Sequence, residues 1–276
     1  MKAKANVSYF RDPELPGIDL CLVQNSHHRF PDHFHEKIYG VGLMQSGASF
    51  CFRGDAPDPV VGPGEVTLLN PGQIHSGVPV DEGPVTYFMC YITLEAMKNL
   101  AGESDSGPAA WPEFTTGIVH EKQVSALFRQ VFRTLMHSRD CLEKEALLVA
   151  AFHFLFSCHG RAGQSQYKKL LRHPVSRARE ILSAELDRKL TLEEVAQSVD
   201  LSRYHFLRIF KQDTGLSPHL YRIQKRIEAG RELLLKGTPA AQAALETGFS
   251  DQSHFANTFR RYFGATPRQY LSLAAS

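Results

Sequence analysis

No stretch of this 276-residue chain approaches the roughly 20 consecutive apolar residues that span a bilayer. Its opening, MKAKANVSYFRDPELPG, lacks the apolar segment of a secretory signal. These absences argue against a membrane or exported protein, and a cytoplasmic one is expected. Cysteine is sparse: Cys21, Cys51, Cys90, Cys141 and Cys158 are scattered without C-x-x-C spacing, and five is an odd number. A complete intramolecular disulfide framework is thereby excluded, and the thiols read as buried groups in a reducing compartment. A strong charge of either sign is also missing. The net charge of +2 divides into about +4 from His173 onward and about −2 before it, a basic bias that permits a nucleic-acid surface without demanding one. With 43% hydrophobic and 22% charged residues the composition is that of a folded protein, and the length allows two domains.

What is present changes character along the chain. From about 18 to 95, short apolar runs (YGVGLM, SFCF, EVTLL, VTYFMCYI) alternate with turn-forming RGDAPDP, GPGE, NPGQ and DEGPV, which predicts an all-β unit. After AGESDSGPAAWPE the period becomes helical: Val124, Leu127, Phe128, Val131 and Leu135 share one face, and EALLVAAFHFLF is apolar almost all round. Helices are therefore expected over about 117–158, with self-association into a homodimer as one way to bury the second. CHGRAGQSQYKK reads as a linker at 161–172 between an N-terminal domain, 1–160, and a C-terminal one, 173–276.

The C-terminal part writes one pattern twice. FKQDTGLSPHLY (210–221) returns as FRRYFGATPRQY (259–270), repeating Phe, a base, Gly, Ser/Thr, Pro and Tyr. Before the first copy, TLEEVAQSV has the T-x-x-E spacing of a capping box at Thr191 and Glu194, and Ser202 can cap RYHFLRIFKQDT. Before the second, Thr238 and Pro239 can open PAAQAALET ahead of DQSHFANTFRRYF. The offset between copies grows from 48 (Ala196 to Ala244) to 49 (Phe206 to Phe255), so the second turn is one residue longer. Two helix-turn-helix units follow, at about 191–214 and 239–263, joined by a helix at about 217–236 with Leu220, Ile223, Ile227 and Leu234 on its inner side. Such a helix is about 30 Å long, close to one turn of B-DNA at about 34 Å. The outward residues would then be Arg203, Tyr204, Leu207, Arg208 and Lys211 in the first unit and Gln252, Ser253, His254, Asn257 and Arg260 in the second. Arginine suits guanine, tyrosine and leucine the thymine methyl, and Gln and Asn adenine. Arg222, Lys225, Arg226 and Arg261 are phosphate candidates. For any one of these side chains a solvated helix face is the bland alternative.

Residues 173–273, above all GFSDQSHFANTFRRYFGATPRQYL, closely resemble the AraC/XylS family of bacterial transcriptional regulators. The resemblance implies a C-terminal all-α domain of two helix-turn-helix motifs on a long helix, promoter DNA and RNA polymerase as partners, a small-molecule effector, and often a dimer that activates. Base contacts would fall on Tyr204, Leu207, Arg208, Gln252, Ser253 and Asn257. Asp200 stands where Gly is common. HFHEKIYGVGLMQSG and GPGEVTLLNPGQIHSG resemble the cupin-like sensor of the same family, implying an N-terminal β-barrel followed by helices, so that the fold class is multidomain β plus α. His33 and His35 would share a strand face with His75 nearby, and with Tyr39 these are the effector-binding candidates. The three histidines have three readings: hydrogen-bonding a polar effector, lining a structural turn, or ligating Zn²⁺ or Fe²⁺ with Glu36 or water. The glutamate of enzymatic cupins would fall at Tyr39 or Gly40, and Asn70 replaces a usual proline. A non-enzymatic regulator is expected; a metal-dependent cupin enzyme fused to a DNA-binding domain and a metal-sensing regulator are the alternatives.

Overall fold

The computed structural model describes residues 6–52, 59–81, 83–101, 112–161 and 174–272. All but the first residue of the expected linker at 161–172 lies outside them. The chain divides into two compact units, built on Met1–Gln164 and Ser165–Leu271.

In the first unit, β1 (Asn6–Arg11), β2 (Ile18–Ser26), β4 (Ile38–Ser46), β7 (Val66–Leu69), β9 (Val85–Thr93) and β11 (Ile118–Val119) form one antiparallel sheet in the order β1-β2-β9-β4-β7-β11. A second sheet runs β3 (Phe30–His33), β8 (His75–Pro79), β5 (Ser49–Phe50) and β6 (Val60–Val61). Met44, Val61 and Val85 pack between the two sheets, giving the cupin-like barrel. The other face of the large sheet is covered by α2 (Lys122–His137) and α3 (Cys141–His159), through Phe128, Phe132, Phe152 and Leu155. Successive strand residues point to opposite faces. In β4, therefore, Tyr39, Val41 and Leu43 enter the core beneath the helices, whereas Gly40 and Gly42 lie on the barrel side. A Cβ at Gly42 would meet the Met89 sulfur, so a larger residue there would have to displace that side chain.

Three boundaries differ from the sequence expectation. Strand β1 begins at Asn6, upstream of the expected 18, because its alternating NVSYFR pairs in full register with β2. A helix, α1 (Leu94–Ala101), follows β9 directly. Residues 118–119 pair with β7 as a strand, and the helix pair starts only at Lys122. The short strands β10 (Glu113–Phe114) and β12 (Gly160–Arg161) pair with each other.

The second unit comprises α4 (Pro174–Ser183), α5 (Leu192–Ser198), α6 (Arg203–Thr214), α7 (Pro218–Leu235), α8 (Ala240–Glu246), α9 (Gln252–Phe263) and α10 (Pro267–Ser272). The repeat is structural as well as sequential. Helices α6 and α9 end on left-handed Gly215 and Gly264, with φ of 69° and 70°, and Pro218 and Pro267 open the next helices. Phe210 meets Tyr221 edge-on at 5.4 Å, and Phe259 meets Tyr270 at 5.3 Å. Arg179 donates to the Tyr221 hydroxyl, and Arg231 to that of Tyr270. Phe206, Phe210, Phe255 and Phe259 are fully buried, each worth about 2–3 kcal/mol of apolar burial. Helix α7 has 18 residues, about 27 Å at 1.5 Å each. Its inner face carries Tyr221, Gln224, Ile227, Gly230 and Leu234, whereas Leu220, expected inside, is 38% exposed. Gly230 is a contact point: a Cβ there would lie 2.5 Å from the Phe255 ring.

Candidate functional site

The surface of the second unit that can meet another molecule is shaped by its caps and turns. Thr191 and Glu194 form the capping box of α5, and Ser202 Oγ accepts from the His205 N–H to start α6. Between these helices the chain reverses through Asp200 in the left-handed region, φ 57°. In the second copy of the repeat Gly248 does the same at φ 77°. Four residues separate α5 from α6 and five separate α8 from α9, which is the extra residue read from the 48-to-49 offset. Helix α9 is capped by Asp251, whose carboxylate accepts from the His254 N–H at 2.8 Å. This bond, with that from Ser250, holds the Asp251 pKa below its ordinary value. Helix α8 is capped differently from expectation: its N-cap is Pro239, without a side-chain bond from Thr238, and Ala240 is the first helical residue.

With Phe206 and Phe210 anchoring α6, its opposite face shows Arg203, Tyr204, Leu207, Arg208 and Lys211, all exposed. Tyr204 is 80% exposed. Arg203 pairs with Glu193 of α5 at 3.1 Å. On α9, Phe255, Phe259 and Tyr262 go inward and Gln252, Ser253, His254, Asn257 and Arg260 are exposed. The His254 ring packs edge-on against Phe249.

Two of the arginines expected to face phosphates are corrected. Arg222 is buried, its guanidinium donating to the carbonyls of Leu182, Glu185 and Arg188 at 2.9, 2.9 and 2.7 Å. Arg226 donates to the Leu186 carbonyl at 2.9 Å. The end of α4 and the loop after it leave carbonyls without helical partners, and the planar fork of arginine satisfies several at once. Burial lowers the pKa of both guanidiniums. Lys225 lies beside Glu228 at 3.2 Å; Arg261 is exposed.

In the first unit, His33, His35 and His75 come together. His33 and His75 are cross-strand partners of β3 and β8, with ring centroids 4.1 Å apart; His35 stands 5.1 and 5.2 Å from them. One ring nitrogen from each lies within 4.8 Å of the others. Strand β3 ends at His33, so His35 joins from beyond it rather than along the same strand. Its carbonyl accepts from the Gly72 N–H at 2.7 Å, which ties it to the turn preceding His75. Asn70, in place of proline, holds that turn by exchanging two side-chain bonds with the Phe114 backbone. Burial lowers the pKa of His33 and, with His33 adjacent, that of His75 well below the ordinary histidine value.

Tyr39, the fourth effector candidate, does not join this cluster. It lies on the helix-facing side of β4, 1% exposed, against Phe114 and Phe156, with its hydroxyl donating to the Pro112 carbonyl at 2.6 Å. The tyrosine beside the histidines is Tyr91, 5.3 Å from His35. The alternation of Val85, Tyr87, Met89 and Tyr91 in VTYFMCYI is the signal that could have found it, since Cys90 and Ile92 belong to the helix-facing core. All five cysteines are free thiols, and no helix among the described residues is long and apolar enough to cross a membrane.

This chain matches a helix-turn-helix domain family over residues 195–272 and the AraC-like ligand binding domain family over 15–152. It is 27% identical over 246 residues to the HTH-type transcriptional regulator YbfI of Bacillus subtilis, covering 88% of this chain and 87% of that one. It is 35% identical over 99 residues to the HTH-type transcriptional regulator ArgR of Pseudomonas aeruginosa, 35% of this chain but 30% of that protein. Its fold is that of ToxT from Vibrio cholerae, with a TM-score of 0.56 at 12% identity, over 94% of this chain and 100% of ToxT. With the ligand-binding family spanning half of its length and the helix-turn-helix family most of the remainder, this chain belongs to the AraC family of DNA-binding transcriptional regulators.

Proposed function

We propose that the protein activates transcription by placing α6 and α9 in successive major grooves of promoter DNA, under control of a small molecule taken by the first unit. The observation that carries the reading is the duplicated head. Each is turned through a left-handed residue and capped by a side chain, and each shows polar and aromatic groups on the side opposite two buried phenylalanines. Arg208 offers a bidentate donor for guanine, Tyr204 and Leu207 apolar contact for thymine methyls, and Gln252 and Asn257 paired bonds for adenine. Arg203, Lys211, Ser253, His254, Arg260 and Arg261 flank these groups as phosphate and groove contacts. The effector meets His33, His35 and His75, and its binding shifts the population toward a promoter-competent form by favouring that form over the other. RNA polymerase is the partner at the promoter and the cytoplasm the compartment. Leu142, 73% exposed, and Val149, 41% exposed, stand with Ala146 and Ala150 on the outer stripe of α3 and favour a homodimer through that helix.

Gel shifts on duplexes selected from a random pool test the reading. A preferred sequence bound with affinity that falls steeply with salt is expected, with Arg208→Ala losing about 1–3 kcal/mol of discrimination at one base pair. Equal affinity for unrelated duplexes would overturn it.

A further inference from the structure

We infer that His33, His35 and His75 form a three-imidazole site for a divalent transition-metal ion of the zinc class, with a coordination position left open. The bonds that fix the rings carry this assignment. The Nδ1 of His33 lies 2.8 Å from the Pro31 carbonyl and that of His75 lies 3.0 Å from the Gln73 carbonyl. A carbonyl only accepts, so both rings hold their proton on Nδ1, and both Nε2 atoms carry lone pairs. This is how metal-binding imidazoles are held: the second nitrogen donates to an oxygen, fixing the tautomer and the direction of the ligand atom. The Nε2 of His75 is buried with no hydrogen-bond partner among the described residues. An unsatisfied buried acceptor costs free energy, and a metal bond relieves that cost.

The distances fit a site that tightens on loading. Metal–nitrogen bonds of about 2.05 Å in a tetrahedral site put ligand atoms about 3.4 Å apart. The present spread, at most 4.8 Å, closes if each ligand nitrogen moves inward by about 0.8 Å, a shift that torsional freedom in the side chains readily supplies. Imidazole ligates a metal through a nitrogen lone pair, which the Nδ1 bonds of His33 and His75 leave on Nε2. Three neutral nitrogens suit zinc, iron and copper rather than magnesium or calcium. Where a carboxylate would complete an enzymatic set, Gly40 has no side chain and Tyr39 faces the core beneath the helices. The open position therefore falls to water or to an oxygen or nitrogen donor of the effector. The site deepens the effector reading above and rests on it only for that last step; metal uptake stands or falls alone.

The test uses the full chain, stripped with a chelator and titrated with Co²⁺ and Zn²⁺. One equivalent of Co²⁺ with the intense visible absorption of a low-symmetry four- or five-coordinate ion is expected, displaced by one equivalent of Zn²⁺. His33→Ala and His75→Ala should each weaken uptake by more than about 100-fold, the upper end of what even an outer-shell change costs, while His27→Ala leaves it unchanged. The wild-type cobalt spectrum needs no variant to fold. Absent stoichiometric uptake by the wild type, or uptake undiminished in folded His75→Ala, overturns the site. Gel shifts on the stripped protein run in parallel: intact sequence-specific binding with no metal uptake removes the metal site alone, whereas loss of sequence preference at every metal content removes the promoter reading.

Discussion

Arg208 and Arg222 look alike in the sequence, each one base in a helical pattern, and the fold gives them opposite surroundings. Arg208 is exposed on α6, while Arg222 sits under the loop after α4 with three carbonyls on its guanidinium. Arg222→Ala should therefore cost about 2–4 kcal/mol of stability, from lost charged bonds and stranded carbonyls, and Arg222→Lys should not restore it, since one ammonium cannot span the three. Thermal unfolding of the variants checks this, with Arg208→Ala expected to leave the melting temperature within about a degree or two. Charge alone could not have separated these residues, because the carbonyls that claim Arg222 come from 34 to 40 positions away. Tyr39 falls outside the histidine cluster for a related reason: its neighbours fit the pattern of a sensor strand, but side-chain parity sends it to the helix-facing core and brings Tyr91 to the histidines instead.

Also at this scale, the Lys144 ammonium on α3 is buried and donates to Asp12 at 2.5 Å. The bond to Lys144 lowers the Asp12 pKa below 3.8. A carboxylate whose folded pKa is depressed contributes stability that is fully present above its unfolded pKa and is lost as pH falls through the folded one. Asp12→Asn should thus cost about 1–3 kcal/mol at neutral pH and flatten the fall of stability below about pH 4. An unchanged acid limb in urea titrations at several pH values would contradict the pairing.

Between elements, the two turns show how one geometry is met by two residues. Asp200 holds φ 57° and Gly248 φ 77°, but only at Gly248 does a backbone atom, the Leu186 carbonyl oxygen, stand where a Cβ would go. Asp200→Gly should change stability by less than about 0.5 kcal/mol, relief of the left-handed strain offsetting the freer unfolded chain. Asp200→Val should cost about 1–2 kcal/mol, and Gly248→Ala more than that, because strain and a backbone clash combine. Denaturant midpoints of the three variants give the order directly. Most of this scale is legible in the sequence. The capping box, the αL glycines, the prolines that open helices and the longer second turn are local rules written in adjacent residues. The elements that local patterns do not announce, β1, α1 and β11, are short or are fixed by partners distant in sequence, as when Ile118 and Val119 pair with β7.

For the whole molecule, a ligand-binding barrel and a two-headed helical unit occur in one chain, each with its own core. On the proposed two-headed reading, affinity and sequence preference are properties of α6 and α9 together, and α7 lies between them in the chain. The duplicated motif makes this organisation readable from the sequence; the site in the barrel is readable there only as three histidines without their tautomers, since Pro31 and Gln73 carry no signal for the bonds their carbonyls accept. The most direct measurement is a hydroxyl-radical footprint on the best duplex from a random pool, repeated with Arg208→Ala and Asn257→Ala. Two protected patches on one face of the duplex, centred about 10 base pairs apart, are expected, with each variant relaxing sequence preference in a different patch. A single patch, or two variants that weaken all sequences alike, would contradict reading by two heads.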